Sequence, residues 1–170
     1  MRLASRLPAG SQLIFRHYGV PERTALAQRL ARICRARRIE LLVAGDLALA
    51  DRLKAGLHLP DAAAANPSPR LRLWRRRGGK LTAAAHDRLG LVRADRLGAE
   101  AVLLSPVFPT LSHPETKPLG LLAFRRLVRG SKVPVVALGG IDGTTVLKMK
   151  SAPIAGVAAV GAFSSPRLPP

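Results

Sequence analysis

Residues 99–140 read AEAVLLSPVFPTLSHPETKPLGLLAFRRLVRGSKVPVVALGG. Their pattern predicts a strand, a loop, a helix and a second strand, in that order. The short runs 101–104 and 133–138 are almost wholly apolar, as is typical of strands buried on both faces. Between them lies a loop rich in Pro, Ser and Thr over residues 105–118, followed by a helix over residues 121–128. Two such strands with a helix between them predict a parallel pair joined by a helical crossover.

The same alternation extends in both directions from this unit. Further strands are predicted at residues 12–15, 39–44, 56–59, 81–85 and 156–160. Helices are predicted from Pro21 onward, over residues 47–54, after an N-cap at Asp87, and over residues 144–150. Residues 61–79, by contrast, resemble a surface connection with weak structure, which is helical at most over residues 62–65. Seven alternating units in one domain, residues 1–170, predict an α/β fold of (β/α)8 TIM-barrel type that lacks one unit, with a doubly wound open sheet as the alternative.

Charge and composition narrow the classes of function. Lys and Arg number 28 and Asp and Glu 10, so the formal net charge is +18, which favours an anionic partner. The basic run over residues 70–80, with Trp74 inside it, keeps a nucleic-acid-binding protein open as an alternative, although the excess Arg is spread along the whole chain.

The single Cys34 excludes a disulfide framework and is predicted to be a small buried apolar residue. With no targeting signal and no long apolar segment, we expect a cytoplasmic protein with no membrane partner.

Ligand sites of parallel barrels lie at the carboxyl ends of the strands. The polar residues and glycines that follow the predicted strands are therefore candidates, and they are Arg16, His17, Tyr18, Asp46, His58, Asp61, His86, Ser105, Thr110, Ser112, His113, Gly139, Gly140 and Gly161. Glycine turns let backbone N–H groups approach phosphate oxygens, so this set predicts a phosphate site with acid and base candidates. No GxGxxG or GxxxxGK[ST] string occurs, which weakens the dinucleotide and P-loop alternatives.

The segment from residue 99 to 127, together with VPVVALGGI and AGVAAVGAF, resembles the thiamine phosphate synthase and thiazole tautomerase family. The strings LIFRHYG, LLVAGD, AGLHLP and LTAAAHD follow in the order of that family's strand-end motifs. The resemblance runs from about Leu13 to Phe163 and implies a TIM barrel that binds phosphorylated thiazole or pyrimidine. Compared with the family pattern, the first strand and the last helix are missing, so we expect either a truncated reading frame or a homodimer that covers the open sheet edges.

The resemblance implies thiamine phosphate synthase activity in thiamine biosynthesis. In that reaction a pyrimidine diphosphate loses pyrophosphate, and the nitrogen of a thiazole phosphate captures the resulting pyrimidine carbocation. The implied cofactor is Mg²⁺ with Asp46 as its ligand, and the implied catalytic residues are Arg16 and His86. The implied substrate-binding residues are Arg16, Tyr18, Thr110, Ser112, His113, Gly139, Gly140 and Gly161.

Departures from the family pattern keep other functions open. Ile14, Tyr18, Gly45 and Ala84 stand where the family has Gln, Lys, Asn and Ser in the diphosphate site, and His113 replaces a Lys. The thiazole-phosphate half is thus better preserved than the diphosphate half. A thiazole tautomerase, in which His86 moves a proton, or a catalytically degenerate thiazole phosphate-binding protein are the alternatives.

Three of the candidates also have purely structural interpretations. His86 could satisfy backbone groups at a turn, and Asp46 could be a helix N-cap rather than a metal ligand. His58 is expected to be a packed histidine of the core. Each interpretation predicts a specific hydrogen-bond partner or degree of burial.

Overall fold

The computed structural model describes residues 4–110 and 115–160. These residues form two compact units, which divide the chain between Leu81 and Thr82. Both units consist of short parallel strands that alternate with helices. Strand order follows chain order within each unit. The predicted α/β class and parallel crossover pattern are confirmed, and the prediction of a single domain over residues 1–170 stays a prediction.

The first unit contains three strands and four helices. They are β1 (Gln12–Phe15), α1 (Arg23–Ala36), β2 (Glu40–Ala44), α2 (Leu47–Leu53), β3 (Gly56–Leu59), α3 (Asp61–Ala65) and α4 (Pro69–Arg76). β1 pairs with β2 and β2 with β3, with Phe15 opposite Val43 and Ala44 opposite His58. β2 and β3 are buried almost throughout because helices cover one face and the core the other.

The second unit repeats the pattern. Its elements are β4 (Leu81–Ala85, starting at the boundary), α5 (Arg88–Arg96), β5 (Ala101–Leu104), α6 (Gly120–Arg129), β6 (Val135–Ala137), a 3-10 helix (Val146–Met149) and β7 (Gly156–Val157). Val102, Leu104 and Phe124 are fully buried and form much of its core. The predicted strands at 133–138 and 156–160 are shorter in the structure, and the predicted last helix is a single 3-10 segment.

The prediction of weak structure over residues 61–79 is wrong for its second half. Ser68 caps α4, since its Oγ accepts the N–H of Leu71 at 3.2 Å, and Pro69 takes the first helical position. Proline is well tolerated there because the N–H it lacks would have no intrahelical partner. Trp74 packs on the backbone of Gly79, where any side chain would overlap the indole ring.

Two side chains of the first unit behave as the sequence predicts. Cys34 is buried, and burial raises the pKa of its thiol. His58 is also buried, with 7% of its surface exposed.

Among the described residues, no helix combines the length and the hydropathy needed to cross a membrane.

Candidate functional site

The strand ends of the first unit bring together one group of predicted site residues. Arg16, His17 and Tyr18 follow β1 and are exposed, whereas Phe15 just before them is buried. The His17 ring stacks on the Phe15 ring with 5.2 Å between centroids. Gly45 and Asp46 follow β2. Because the strands are parallel, these segments emerge at the same end of the unit.

Arg23, the first residue of α1, connects these two strand ends. Its Nη1 donates to Asp46 Oδ2 at 2.6 Å, Nε donates to the His17 carbonyl at 2.7 Å, and Nη2 donates to the Ala44 carbonyl at 3.0 Å. The guanidinium carbon also lies 5.5 Å from the Phe15 ring centroid and 5.7 Å from that of Tyr18. The guanidinium therefore holds the loop after β1 against the end of β2.

Sequence reasoning missed Arg23, which is absent from the candidate site residues. A signal was present, however. A cation in the first turn of a helix is disfavoured by the helix dipole, so an arginine at that position needs a compensating partner. No acidic residue stands in the first turn of α1. The positive charge of Arg23 is therefore not compensated within that turn, which indicates that an acceptor from elsewhere in the chain binds its guanidinium.

Asp46 has both carboxylate oxygens engaged. Oδ1 accepts the N–H of Leu49 at 2.9 Å, which makes Asp46 the N-cap of α2, and Oδ2 accepts from Arg23. Magnesium requires octahedral oxygen ligands, usually with one or two protein carboxylates. In the described part of the chain, no group of three or more His, Cys, Asp or Glu could hold a metal ion. The residues at Asp46 thus do not fit a magnesium site, and the N-cap interpretation of Asp46 is confirmed.

His58 carries the largest electrostatic perturbation among the buried groups. Burial, and then the positive charge of Arg16, lower the pKa of His58 to about 4. The imidazole is therefore neutral at pH 7. Arg16, which sequence reasoning predicted to be catalytic, thus lies close enough to act on a buried side chain of β3.

The second unit places His86 beside the end of β5. His86 Nδ1 lies 2.7 Å from the Ser105 carbonyl oxygen and 3.5 Å from Ser105 Oγ. Because a carbonyl oxygen can only accept, Nδ1 carries the proton in this contact. In the neutral imidazole, Nε2 then keeps its lone pair. His86 is exposed, so this nitrogen is able to accept or return a proton at the strand end.

The turn after β6 is made by Gly139 and Gly140, which both have positive φ angles, 92° and 65°. A Cβ at Gly139 would lie 2.6 Å from Pro106 Cα, and one at Gly140 would lie 2.7 Å from Phe108 Cβ. Val107 N–H donates to the Leu138 carbonyl at 3.0 Å. Only glycine fits both positions, because the loop after β5 lies directly against the turn.

Two backbone donors of this turn have no acceptor among the residues that the structure describes. Over residues 4–110 and 115–160, no oxygen accepts the N–H of Gly139 or of Gly140. Adjacent N–H groups in a glycine turn form a concave donor pair that suits an anion such as phosphate.

Asp142, which sequence reasoning missed, stabilises the segment that follows. Its Oδ1 accepts the backbone N–H groups of Thr144 and Thr145 at 2.9 and 2.8 Å, and the Thr145 hydroxyl lies 2.9 Å from the Gly140 carbonyl. The hydrogen bonds from Thr145 and Thr144 lower the pKa of Asp142 to about 2. The signal was the sequence Asp-Gly-Thr-Thr, which favours an Asx turn.

The remaining predicted site residues divide into two sets. Thr110 is described and partly buried in the loop after β5. Ser112, His113 and Gly161 lie outside the described residues.

The family model described as thiamine monophosphate synthase matches residues 4–163. The chain belongs to this family. The thiamine-phosphate synthase of Geobacillus kaustophilus is 30% identical over 148 residues, which cover 85% of this chain and 65% of that protein. The enzyme of Latilactobacillus sakei is 27% identical over 145 residues, covering 84% of this chain and 64% of that protein. The chain therefore spans slightly less than two thirds of these relatives.

Solved structures show the fold of this member of the thiamine monophosphate synthase family. A thiamine phosphate pyrophosphorylase from Pyrococcus furiosus matches with a TM-score of 0.78 and 20% identity, over 97% of this chain and 80% of that one. FabK from Thermotoga maritima matches with a TM-score of 0.64 and 16% identity, over 95% of this chain and 54% of that one. The predicted TIM-barrel type and the predicted family are both confirmed.

Proposed function

We propose that the chain binds a thiazole phosphate and joins it to a pyrimidine diphosphate, with release of pyrophosphate, in thiamine biosynthesis. The observation that carries the proposal is the donor pair of Gly139 and Gly140. It lacks a protein acceptor among the described residues, and two adjacent glycine N–H groups suit the phosphate of the thiazole. Family membership supports the choice of the thiazole phosphate as its ligand.

In this proposal the residues have distinct tasks. The glycine amides hold the thiazole phosphate, and the neutral Nε2 of His86 accepts or returns a proton. Arg16 and Tyr18 bind the diphosphate, whose charge grows on the leaving oxygen as the bond to the pyrimidine methylene breaks. The thiazole nitrogen then donates its electron pair to the pyrimidine carbocation, so that one carbon–nitrogen bond replaces one carbon–oxygen bond. No step is assigned to magnesium, because the residues around Asp46 do not fit it.

A second candidate is a thiazole phosphate-binding protein that does not condense the two substrates. It is favoured by the pairing of Asp46 with Arg23 and by the presence of Ile14, Gly45 and Ala84 in place of polar family residues. A tautomerase would need only the phosphate anchor and the proton-carrying nitrogen of His86. The non-condensing binding protein and the tautomerase would both bind thiazole phosphate, as in the main proposal, but neither would join it to the pyrimidine. A homodimer and a cytoplasmic location stay predictions.

Glycine-selective ¹⁵N labelling tests the phosphate anchor directly. Titration with thiazole phosphate should shift the amide resonances of Gly139 and Gly140. The control resonances are those of Gly19 and Gly78, which lie in the first unit with open space around them. Shifts at the controls with none at Gly139 and Gly140 would contradict the proposal.

Two further measurements separate the alternatives. Addition of the pyrimidine diphosphate, followed by mass spectrometry, should reveal thiamine phosphate. Thiazole phosphate binding without product would leave the second candidate. Binding of nucleic acid that weakens steeply between 50 and 300 mM salt, with no response to thiazole phosphate, would favour the nucleic-acid alternative.

A further inference from the structure

Arg23 is the cation that pairs with Asp46. α1 begins with Arg23, and the three acceptors of its guanidinium come from three separate places: the loop after β1, the last residue of β2 and the cap of α2. Three contacts of 2.6 to 3.0 Å fix the plane and the position of the group. The guanidinium is therefore a preorganised charge rather than a mobile surface side chain.

The donors of Arg23 are only partly used. A guanidinium has five N–H groups, and the three contacts employ one each from Nε, Nη1 and Nη2. One N–H therefore remains on each terminal nitrogen without an acceptor in the described part of the chain. The Arg23 side chain keeps 18% of its surface exposed. Guanidinium N–H groups are strong, charge-assisted donors to phosphate oxygens.

The surroundings of Asp46 exclude a second cation in the same place. Its carboxylate is already neutralised by a guanidinium at 2.6 Å, and its other oxygen caps a helix. A divalent ion bound to Oδ2 would lie next to the fixed positive charge of Arg23. Arg16 adds a further positive charge in this unit, as its effect on the pKa of His58 demonstrates.

We propose that Arg23 takes the place of a divalent metal in this chain, with Asp46 as its anchor, and that it binds a phosphate-bearing ligand without metal. The inference rests on the proposed function for the diphosphate substrate and concerns only the first unit. Arg23 is then a binding residue that uses its two remaining N–H groups, and Asp46 is a positioning residue. The ligand class is an organic diphosphate, for which inorganic pyrophosphate is the probe.

The first experiment is a titration of the full chain with pyrophosphate, in EDTA and in excess Mg²⁺. We expect dissociation constants that agree within about twofold in the two conditions. Arg23→Gln should weaken binding by at least tenfold, and Arg23→Lys should weaken it less, because lysine keeps the charge but loses the fork. Arg29→Gln, which removes an exposed arginine from the same helix, is the matched control and should change nothing.

Asp46→Asn distinguishes the two interpretations by whether its effect depends on Mg²⁺. Asparagine also caps helices, so the variant should remain folded. If Asp46 only positions Arg23, the substitution should weaken pyrophosphate binding by the same factor in EDTA and in Mg²⁺, because the amide nitrogen in place of Oδ2 cannot accept from Arg23. If Asp46 were a metal ligand, the substitution would weaken binding by more than tenfold in Mg²⁺ and not in EDTA. That result would overturn the proposal.

Titration with Mn²⁺ alone, followed by electron paramagnetic resonance, gives a readout independent of any phosphate ligand. We expect no saturable Mn²⁺ site that Asp46→Asn removes. Absence of pyrophosphate binding in both EDTA and Mg²⁺ would also overturn the inference. Thiazole phosphate shifts at Gly139 and Gly140 would in that case still be observed if the proposed function holds, so the two failures are distinguishable.

Discussion

The turn after β2 and the turn after β6 both contain glycine and aspartate, but they differ in the groups that they present to a ligand. After β2, Gly45 has a positive φ and precedes Asp46, which accepts the N–H of Leu49 in α2. After β6, Gly140 has a positive φ and lies two residues before Asp142, which accepts the N–H groups of Thr144 and Thr145 just before the 3-10 helix. After β2, the second oxygen of Asp46 is paired with Arg23, so side chains define the site. After β6, the groups left for a ligand are the backbone amides of Gly139 and Gly140.

This difference bears on how each of the two turns responds to substitution. A site built from side chains changes its binding properties when one residue is replaced, and Ile14, Tyr18 and Gly45 are departures from the family pattern in the first unit. A backbone site depends only on the path of the chain. It persists as long as the glycines and the loop that packs on them are kept.

The largest effect should come from Gly140→Ala. The substitution places a side chain at a φ of 65° and against Phe108 and the Pro109 carbonyl. Left-handed strain and overpacking together should lower the free energy of unfolding by about 4 kcal/mol. Urea denaturation measures the change. Gly143→Ala is the matched control, because nothing lies within 4 Å of its Cβ position and it should cost less than about 1 kcal/mol. Equal losses in the two variants would show that the turn is not tightly packed.

Acid should destabilise the first unit through His58. Its pKa falls from 6.5 in the unfolded chain to about 4 in the folded one, so the unfolded state binds more protons between these values. The contribution is complete above pH 6.5 and is lost as the pH falls towards 4, by about 3 kcal/mol in total. Urea midpoints from pH 7.5 to 4 should decrease less in His58→Gln than in the wild type. The exposed His17→Gln is the control and should retain the full acid response.

The pairing of Arg23 with Asp46 should have a smaller effect on stability. Asp46→Ala removes both an N-cap and an ion pair, and we expect a loss of about 2 kcal/mol. Asp46→Asn should lose about half as much, because the cap to Leu49 remains. A double-mutant cycle with Arg23→Gln measures the coupling, which we expect at about 1 kcal/mol. Additive losses would mean that the two side chains do not stabilise each other.

The smallest effect should appear at Asp142 in strong acid. Because its pKa is lowered from 3.8 to about 2, its contribution is present above pH 3.8 and disappears as the pH falls towards 2. The difference in urea midpoint between wild type and Asp142→Asn should therefore be constant above pH 5 and shrink between pH 4 and pH 2. A difference that already shrinks above pH 5 would contradict the assignment. Together with His58, this result would separate the acid responses of the two units.

Much of the fold could be predicted from the sequence, because its signals are local. The strands at residues 12–15, 56–59, 81–85 and 101–104 have the predicted bounds, since each is a short apolar run between turn residues. The cap at Asp87 is also confirmed, with the Gly90 N–H at 2.8 Å from its Oδ1. The helix α4 was missed because residues 61–79 were interpreted as a surface connection, although serine followed by proline, as at Ser68 and Pro69, is a common way to begin a helix.

The sequence by itself determined the order of strands and helices, the turns and caps between them, and therefore which residues stand at the carboxyl ends of the strands. These features depend on hydrogen bonds and apolar spacing within a few residues. Only the tertiary structure decided that Asp46 pairs with Arg23, 23 positions away in the chain, and that Gly139 packs on Pro106. Such partners follow from how parallel strands align side by side, which no local pattern of residues encodes.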